Sequence, residues 1–178
     1  MSEDFFEEHD RNVKKRTRII LVCILAVLVI AGGVYAWYWY NGADISDYGD
    51  AEILITGLPG GDFTITPYGL LELDCTSVSA NGGTRKSSGV NGTGPELETF
   101  LAQYGKTTSD FKKIRFICKD DYITVLKNDY LTDDYQIVMA VTQIGKALPS
   151  KLQPLRIIIP EGESAKWAYG IMEIDFIE

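Results

Sequence analysis

The sequence predicts an α+β domain with a mainly antiparallel or mixed sheet, preceded by one N-terminal transmembrane helix. Three observations lead there. The 22 residues from Ile19 to Tyr40 contain no Asp, Glu, Lys, Arg or His, and an apolar run of about 18 or more residues is long enough to cross a bilayer. After it, seven strand-like runs outnumber one convincing helix, the balance of an α+β domain. No repeat with a period of about 20–50 residues is present.

The average composition hides this division. The chain has 178 residues and a net charge of −8. Residues 1–18 hold five acids and five bases, residues 19–40 hold none, and residues 41–178 hold 20 acids and 12 bases. All of the net charge therefore belongs to the last 138 residues, which suffice for one core and exclude a large multidomain enzyme. Nucleic acid is excluded as a partner, because phosphate binding needs a clustered cationic face.

In the apolar run, eleven Ile, Leu and Val residues lie between Ile19 and Val34. As a helix the run is about 33 Å long at ~1.5 Å per residue. Tyr35, Trp37, Tyr38, Trp39 and Tyr40 form an aromatic collar at one end, and Arg11, Lys14, Lys15, Arg16 and Arg18 flank the other. Basic flanks stay inside and aromatic rings prefer the interface. The expected organisation is a cytoplasmic tail (1–18), a transmembrane helix (19–40), a linker (41–50) and an extracytoplasmic domain (51–178), with membrane lipid as partner of the span. A buried core helix is opposed by the length of the run. A cleaved signal peptide is the stronger rival, since Val34-Tyr35-Ala36 offers a cleavage site, but the length and the collar favour retention. Cys23 lies within the run. Thr17 separates Arg16 from Arg18, so there is no twin-arginine signal and export of an unfolded chain is expected.

Within the outer part, residues 41–50 are acidic and Gly-containing and read as a tether. Asp44, Asp47 and Asp50 lack the spacing of a calcium loop. Strands are expected at Glu52–Thr56, Phe63–Thr66, Ile114–Cys118, Tyr122–Leu126, Gln136–Val141, Leu155–Ile159 and Ile171–Ile177. The last should bury Met172, Ile174 and Phe176 and expose Glu173 and Asp175. The helix is expected over Pro95–Tyr104, where Leu97, Phe100, Leu101 and Tyr104 share a face. Thr93 and Glu96 are spaced as its capping box, and Gly105 stops it. A shorter helix is expected at Tyr68–Leu73. Ser79–Pro95, with 13 of 17 residues Gly, Ser, Thr, Asn or Pro, reads as a mobile loop. It matches neither phosphate-binding glycine motif, and Asn91-Gly92-Thr93 fits the glycosylation sequon.

The chemistry available outside is limited. The single histidine, His9, is in the tail, so no imidazole base or metal ligand is present beyond the span. Cys75 and Cys118 are compatible with a disulfide contributing about 3–4 kcal/mol, with two separate buried thiols, or with one cysteine as a metal ligand. The pairs Asp120-Asp121 and Asp133-Asp134 read as solvated turns rather than a glycosidase pair. Arg85, Arg115 and Arg156 are the only arginines after the span, a thin supply for gripping a phosphorylated cofactor.

Six segments, in order, resemble the oxidoreductase molybdopterin-binding domain, the sulfite-oxidase-like fold: ILITGLPGGDFTIT with YGLLEL, GVNGTGPELETFLAQYG, IRFICKDDYITVL, IVMAVTQIGKALP, PLRIIIP and ESAKWAYGIMEIDF. Asp121 stands where the family expects glycine. The resemblance implies a molybdenum pterin held through one cysteine, here Cys75, with Arg156 and Lys166 near the anionic cofactor. Cys75 arrives several residues early, however, and no histidine follows it. The expectation is thus a short, cofactor-poor relative: a membrane-anchored extracytoplasmic binding or interaction module without the metal, and with no catalytic residue assigned. The alternatives are a molybdopterin-dependent oxidoreductase with Cys75 as metal ligand, and an accessory subunit of a membrane-protein complex that docks through Trp37, Trp39 and the span.

Overall fold

The chain divides into two units, Met1–Gly42 and Ala43–Glu178. The computed structural model describes residues 43–81, 89–143 and 145–178, together with Ile24, Val27, Ile30, Ala31 and Gly32. Those five positions have helical backbone and are exposed. No helix among the described residues is long and apolar enough to cross a membrane. The tail expected at 1–18 lies outside the described residues, as does the span expected at 19–40 apart from these five positions.

In the second unit the elements are β1 (Ile53–Thr56), β2 (Phe63–Ile65), α1 (Pro67–Leu71), β3 (Cys75–Ala80), β4 (Val90–Pro95), α2 (Leu97–Ala102), β5 (Lys113–Cys118), β6 (Ile123–Lys127), β7 (Val138–Ala140), β8 (Thr142–Gln143), β9 (Lys146–Ala147), β10 (Arg156–Ile158) and β11 (Ile171–Ile177). Short 3-10 turns occupy Thr108–Asp110 and Ser164–Lys166. The largest sheet has the order β2-β1-β11-β5-β6. A second runs β3-β4-β8-β9, and β10 pairs with β7. β1 and β11 are parallel and the remaining pairs antiparallel, which makes the fold the α+β, mixed-sheet class expected.

Alternation builds the largest sheet. Ile53 and Ile55 on β1, Ile114 and Phe116 on β5, and Ile174 on β11 are fully buried, and Phe176 is nearly so. On the other face the Arg115 Nε donates to Asp175 Oδ2 at 2.7 Å, and Thr56 Oγ1 donates to Asp175 Oδ1 at 3.0 Å. A register shift between Ile171 and Glu173 buries Ile171 and leaves Met172 only half buried. That corrects the simple alternation expected for β11, since a bulge moves side chains off their period-two positions.

The α2 helix is six residues long, too short to be stable on propensity alone. It forms because Leu97, Phe100 and Leu101 are fully buried. Phe100 stacks at 6.5 Å from Phe176, and Phe111 lies 5.1 Å from Phe176. Gly105, at φ 66°, follows the helix in the left-handed region that glycine adopts without a Cβ penalty. The expected capping box is not formed. Thr93 is on β4, where its hydroxyl pairs with Ser77 Oγ at 2.8 Å. Glu96, the N-cap, makes no side-chain cap bond, and its carboxylate accepts from Gln136 Nε2 at 2.5 Å.

Two expectations are overturned. Residues 79–95 are not one loop: β3 and β4 pair from Cys75↔Pro95 to Ala80↔Val90, and the segment between them, 82–88, lies outside the described residues. Two of the glycines that suggested mobility, Gly92 and Gly94, lie where two sheets meet. A Cβ on Gly92 would strike Ile158 and Ala140, and one on Gly94 would strike the Met139 carbonyl oxygen. Glycine in a strand marks such close approach. Residues 43–50 are likewise no tether. Ile45 and Tyr48 are buried with Leu148 in a second apolar cluster. The Tyr48 hydroxyl donates to Val141 O at 2.8 Å and accepts from Leu148 N at 2.9 Å. Burial pushes the phenol's pKa up, with the Leu148 bond opposing, which keeps the proton it donates.

Gly94→Ala should accordingly destabilise the protein by about 2–4 kcal/mol, measured by urea unfolding. Ser77→Ala, on the exposed face of the same strand pair, should cost less than about 1 kcal/mol. Equal losses would contradict the close-approach role of Gly94.

Candidate functional site

The residues singled out in the sequence lie on different sheets. Cys75 opens β3, opposite Pro95 of β4, with Glu72, Leu73 and Asp74 between it and the end of the α1 helix. Thr66 caps α1, accepting from Gly69 N at 3.1 Å, with Pro67 inside the first turn. Both are common devices for starting a helix. Cys75 as a residue is exposed, but its Sγ is tucked toward the Leu70 carbonyl at 3.8 Å. Desolvation pushes its pKa up, and the Asp74 charge adds to this. Both influences favour the protonated thiol over the thiolate that ligates metals.

Cys118 ends β5 in the five-stranded sheet and is buried. Desolvation raises its pKa first, the Tyr169 backbone opposes, and Asp120 raises it further. Both thiols are free. The bridged alternative for Cys75 and Cys118 is therefore not formed: one cysteine belongs to β3 of the four-stranded sheet and the other to β5 of the five-stranded sheet.

Arg156 begins β10, opposite Ala140. Its guanidinium lies 5.7 Å from the centroid of the Trp167 ring, and its Nε is buried without a hydrogen-bond partner. Desolvation lowers its pKa, and Tyr169 opposes; an arginine with this surrounding remains charged. Lys166, at the end of the Ser164–Lys166 turn, places its ammonium 5.8 Å from the Tyr130 ring centroid. Lys151 lies in the same way over Tyr169, at 5.4 Å. Cations over aromatic faces gain about 0.5–1 kcal/mol at exposed sites. The Trp167 ring is itself fixed, its Nε1 donating to Ile159 O at 3.0 Å.

Among the described residues, no hydrogen bond or ion pair joins Cys75 to Arg156 or Lys166. No group of three or more His, Cys, Asp or Glu among them is arranged to hold a metal ion. A cleft of about 510 Å³, lined in part by Asp110, Phe111, Lys112, Asn128, Leu131 and Glu178, contains none of the three. Asp120, Asp121, Asp133 and Asp134 are all exposed, as solvated turns should be. Sequence reasoning missed the aromatic partners Trp167, Tyr169 and Tyr130. The alternation of Lys and aromatic residues in KWAYG was the available signal.

The five-stranded mixed sheet, the β3–β4 hairpin beside it and the short helices define an α+β domain of sulfite-oxidase-like fold. The sulfane dehydrogenase SoxCD from Paracoccus pantotrophus has this fold in common with the chain, at a TM-score of 0.57 and 19% identity. The match covers 72% of this chain and 38% of that one, so the chain spans well under half of that structure's length. No family model and no curated protein sequence matches.

Thiol chemistry separates the two cysteines. In the native protein a maleimide should label Cys75 and spare Cys118, and after unfolding without reductant both should react. Labelling of neither in the unfolded chain would establish a bridge. The Cys75 rate should rise with pH to a midpoint above the ordinary thiol value of 9.0, and Asp74→Asn should bring that midpoint down.

Proposed function

We propose that the chain is a membrane-anchored, extracytoplasmic binding or interaction module that keeps the sulfite-oxidase-like fold without a molybdenum pterin. The observation that carries this reading is the setting of Cys75. The one thiol offered to a metal on the resemblance is held toward its neutral form by desolvation and by Asp74. The cations expected to grip a pterin's anionic groups lie instead against Trp167 and Tyr130. This donor set does not fit a molybdenum pterin.

Anchoring is supported by the charge-free run from Ile19 to Tyr40 with its basic flank and aromatic collar. The same features orient the second unit to the exterior. The dehydrogenase activity in the neighbour's name belongs to a chain of which this one covers 38%. Fold alone does not transfer function.

One preparation tests both parts. Full-length protein, expressed in a host that makes molybdopterin, should remain with the membranes through an alkaline carbonate wash. After mild-detergent extraction it should carry far less than one molybdenum per chain and no pterin fluorescence. About one metal per chain, lost in Cys75→Ser, would overturn the metal-free reading. Release by carbonate would overturn the anchor.

A further inference from the structure

The segment ahead of β1 is held to the domain in a way that sets it apart from the core. Ile45, Tyr48 and Leu148 form their own buried cluster, with Ala43, Ala51, Ala147 and Leu152 around it. The main core touches it through Leu71, which packs against both. Its backbone bonds are largely internal: Tyr48 N and Gly49 N donate to Ile45 O, and Ala51 N donates to Tyr48 O. Outward, the described residues show one backbone bond, Tyr68 N to Gly49 O at 3.1 Å, and the two bonds of the Tyr48 hydroxyl.

That hydroxyl bridges Val141 O, between β7 and β8, and Leu148 N, just after β9. It therefore clasps the two ends of the β8–β9 pair, which has only two residues in each strand. A single outward backbone bond and a cluster separate from the main core are the marks of a low-stability unit that opens without global unfolding. Tyr48 is the piece on which closure depends, since its loss leaves a buried carbonyl and a buried N–H unpaired at once.

We propose that residues 43–51 are a detachable strap, latched to the β8–β9 pair by Tyr48, whose release lengthens the chain between the apolar run and the domain. Closed, positions 41 and 42 alone separate Tyr40 from the strap. Open, the separation is residues 41–51. At no more than ~3.3–3.6 Å per residue, the maximum reach grows from about 7 Å to about 36–40 Å. The strap thus sets whether the domain is confined to the neighbourhood of its anchor or is free to reach a partner farther away. This use of the strap rests on the membrane-anchored reading; the latch itself does not.

Amide hydrogen exchange on the full-length protein in detergent tests the latch. In the wild type, the amides of Tyr48, Gly49, Ala51 and Leu148 should exchange well before those of β5 and β11. Tyr48→Phe should speed those four at least tenfold and leave β5 and β11 unchanged. Ile45→Ala, which loosens the same cluster without touching the phenol's bonds, should act in the same direction. If either variant accelerates β5 and β11 by the same factor, the segment belongs to the cooperative core and the proposal fails. It also fails if the strap amides do not respond to Tyr48→Phe. Neither outcome depends on whether residues 19–40 are in a bilayer, so failure here is separate from failure of the carbonate test.

Discussion

The rest of the fold depends on how closely β4 approaches the β7–β10 pair. Gly92 faces Ile158 and Ala140, and Gly94 faces the backbone at Met139. Any side chain there would push the sheets apart, because a packed interior has no room for an added methyl without displacement. With β4 in place, Val141 N donates to Thr93 O at 3.0 Å, and Thr93 pairs with Thr142 of β8. Glu96 then bridges Val138, and Leu97 N donates to Ile137 O at 2.8 Å. The start of α2 is thereby fixed, and with it the position of Phe100 over Phe176 of the largest sheet. Two glycines thus connect the small sheets to the large one.

The polar groups follow from that packing. Arg115 and Asp175 are directly opposite across β5 and β11, so their ion pair is a product of register, and Thr56 from the parallel strand completes it. Among the described residues Arg156 has no carboxylate partner, and it lies against Trp167. A buried Nε without a partner carries a desolvation cost, which the ring face offsets only in part. Among the described residues, Lys151, Arg156 and Lys166 lie over aromatic rings and Lys106 and Arg115 pair with acids.

The large sheet was legible in the sequence because its strands alternate: Ile53 and Ile55, Ile114 and Phe116, Ile174 and Phe176 each announce a buried face. Helix α2 was legible from the spacing of Leu97, Phe100 and Leu101. What was not legible came from tertiary context. Gly92 and Gly94 have the composition of a loop, and only the neighbouring strand reveals that their missing side chains are a packing requirement. The acidic residues around Tyr48 look solvated, and nothing local indicates that the phenol finds two backbone partners about a hundred residues away. Met172 was misplaced by a bulge that no pattern of apolar residues reveals. For the site, Cys75, Arg156 and Lys166 were identified by resemblance. Their placement on different elements, and the rings that hold the two cations, required the sheets to be assembled.

On the reading proposed above, the domain carries no molybdenum pterin. Anything that binds the native state raises its stability by mass action. The most direct test is the thermal midpoint of the full-length protein purified from otherwise matched hosts with and without molybdopterin synthesis. The account predicts midpoints that agree within about 1 °C, because a bound group contributing even ~1 kcal/mol would shift a domain of this size by about 2–8 °C. A midpoint several degrees lower from the host lacking molybdopterin would contradict it.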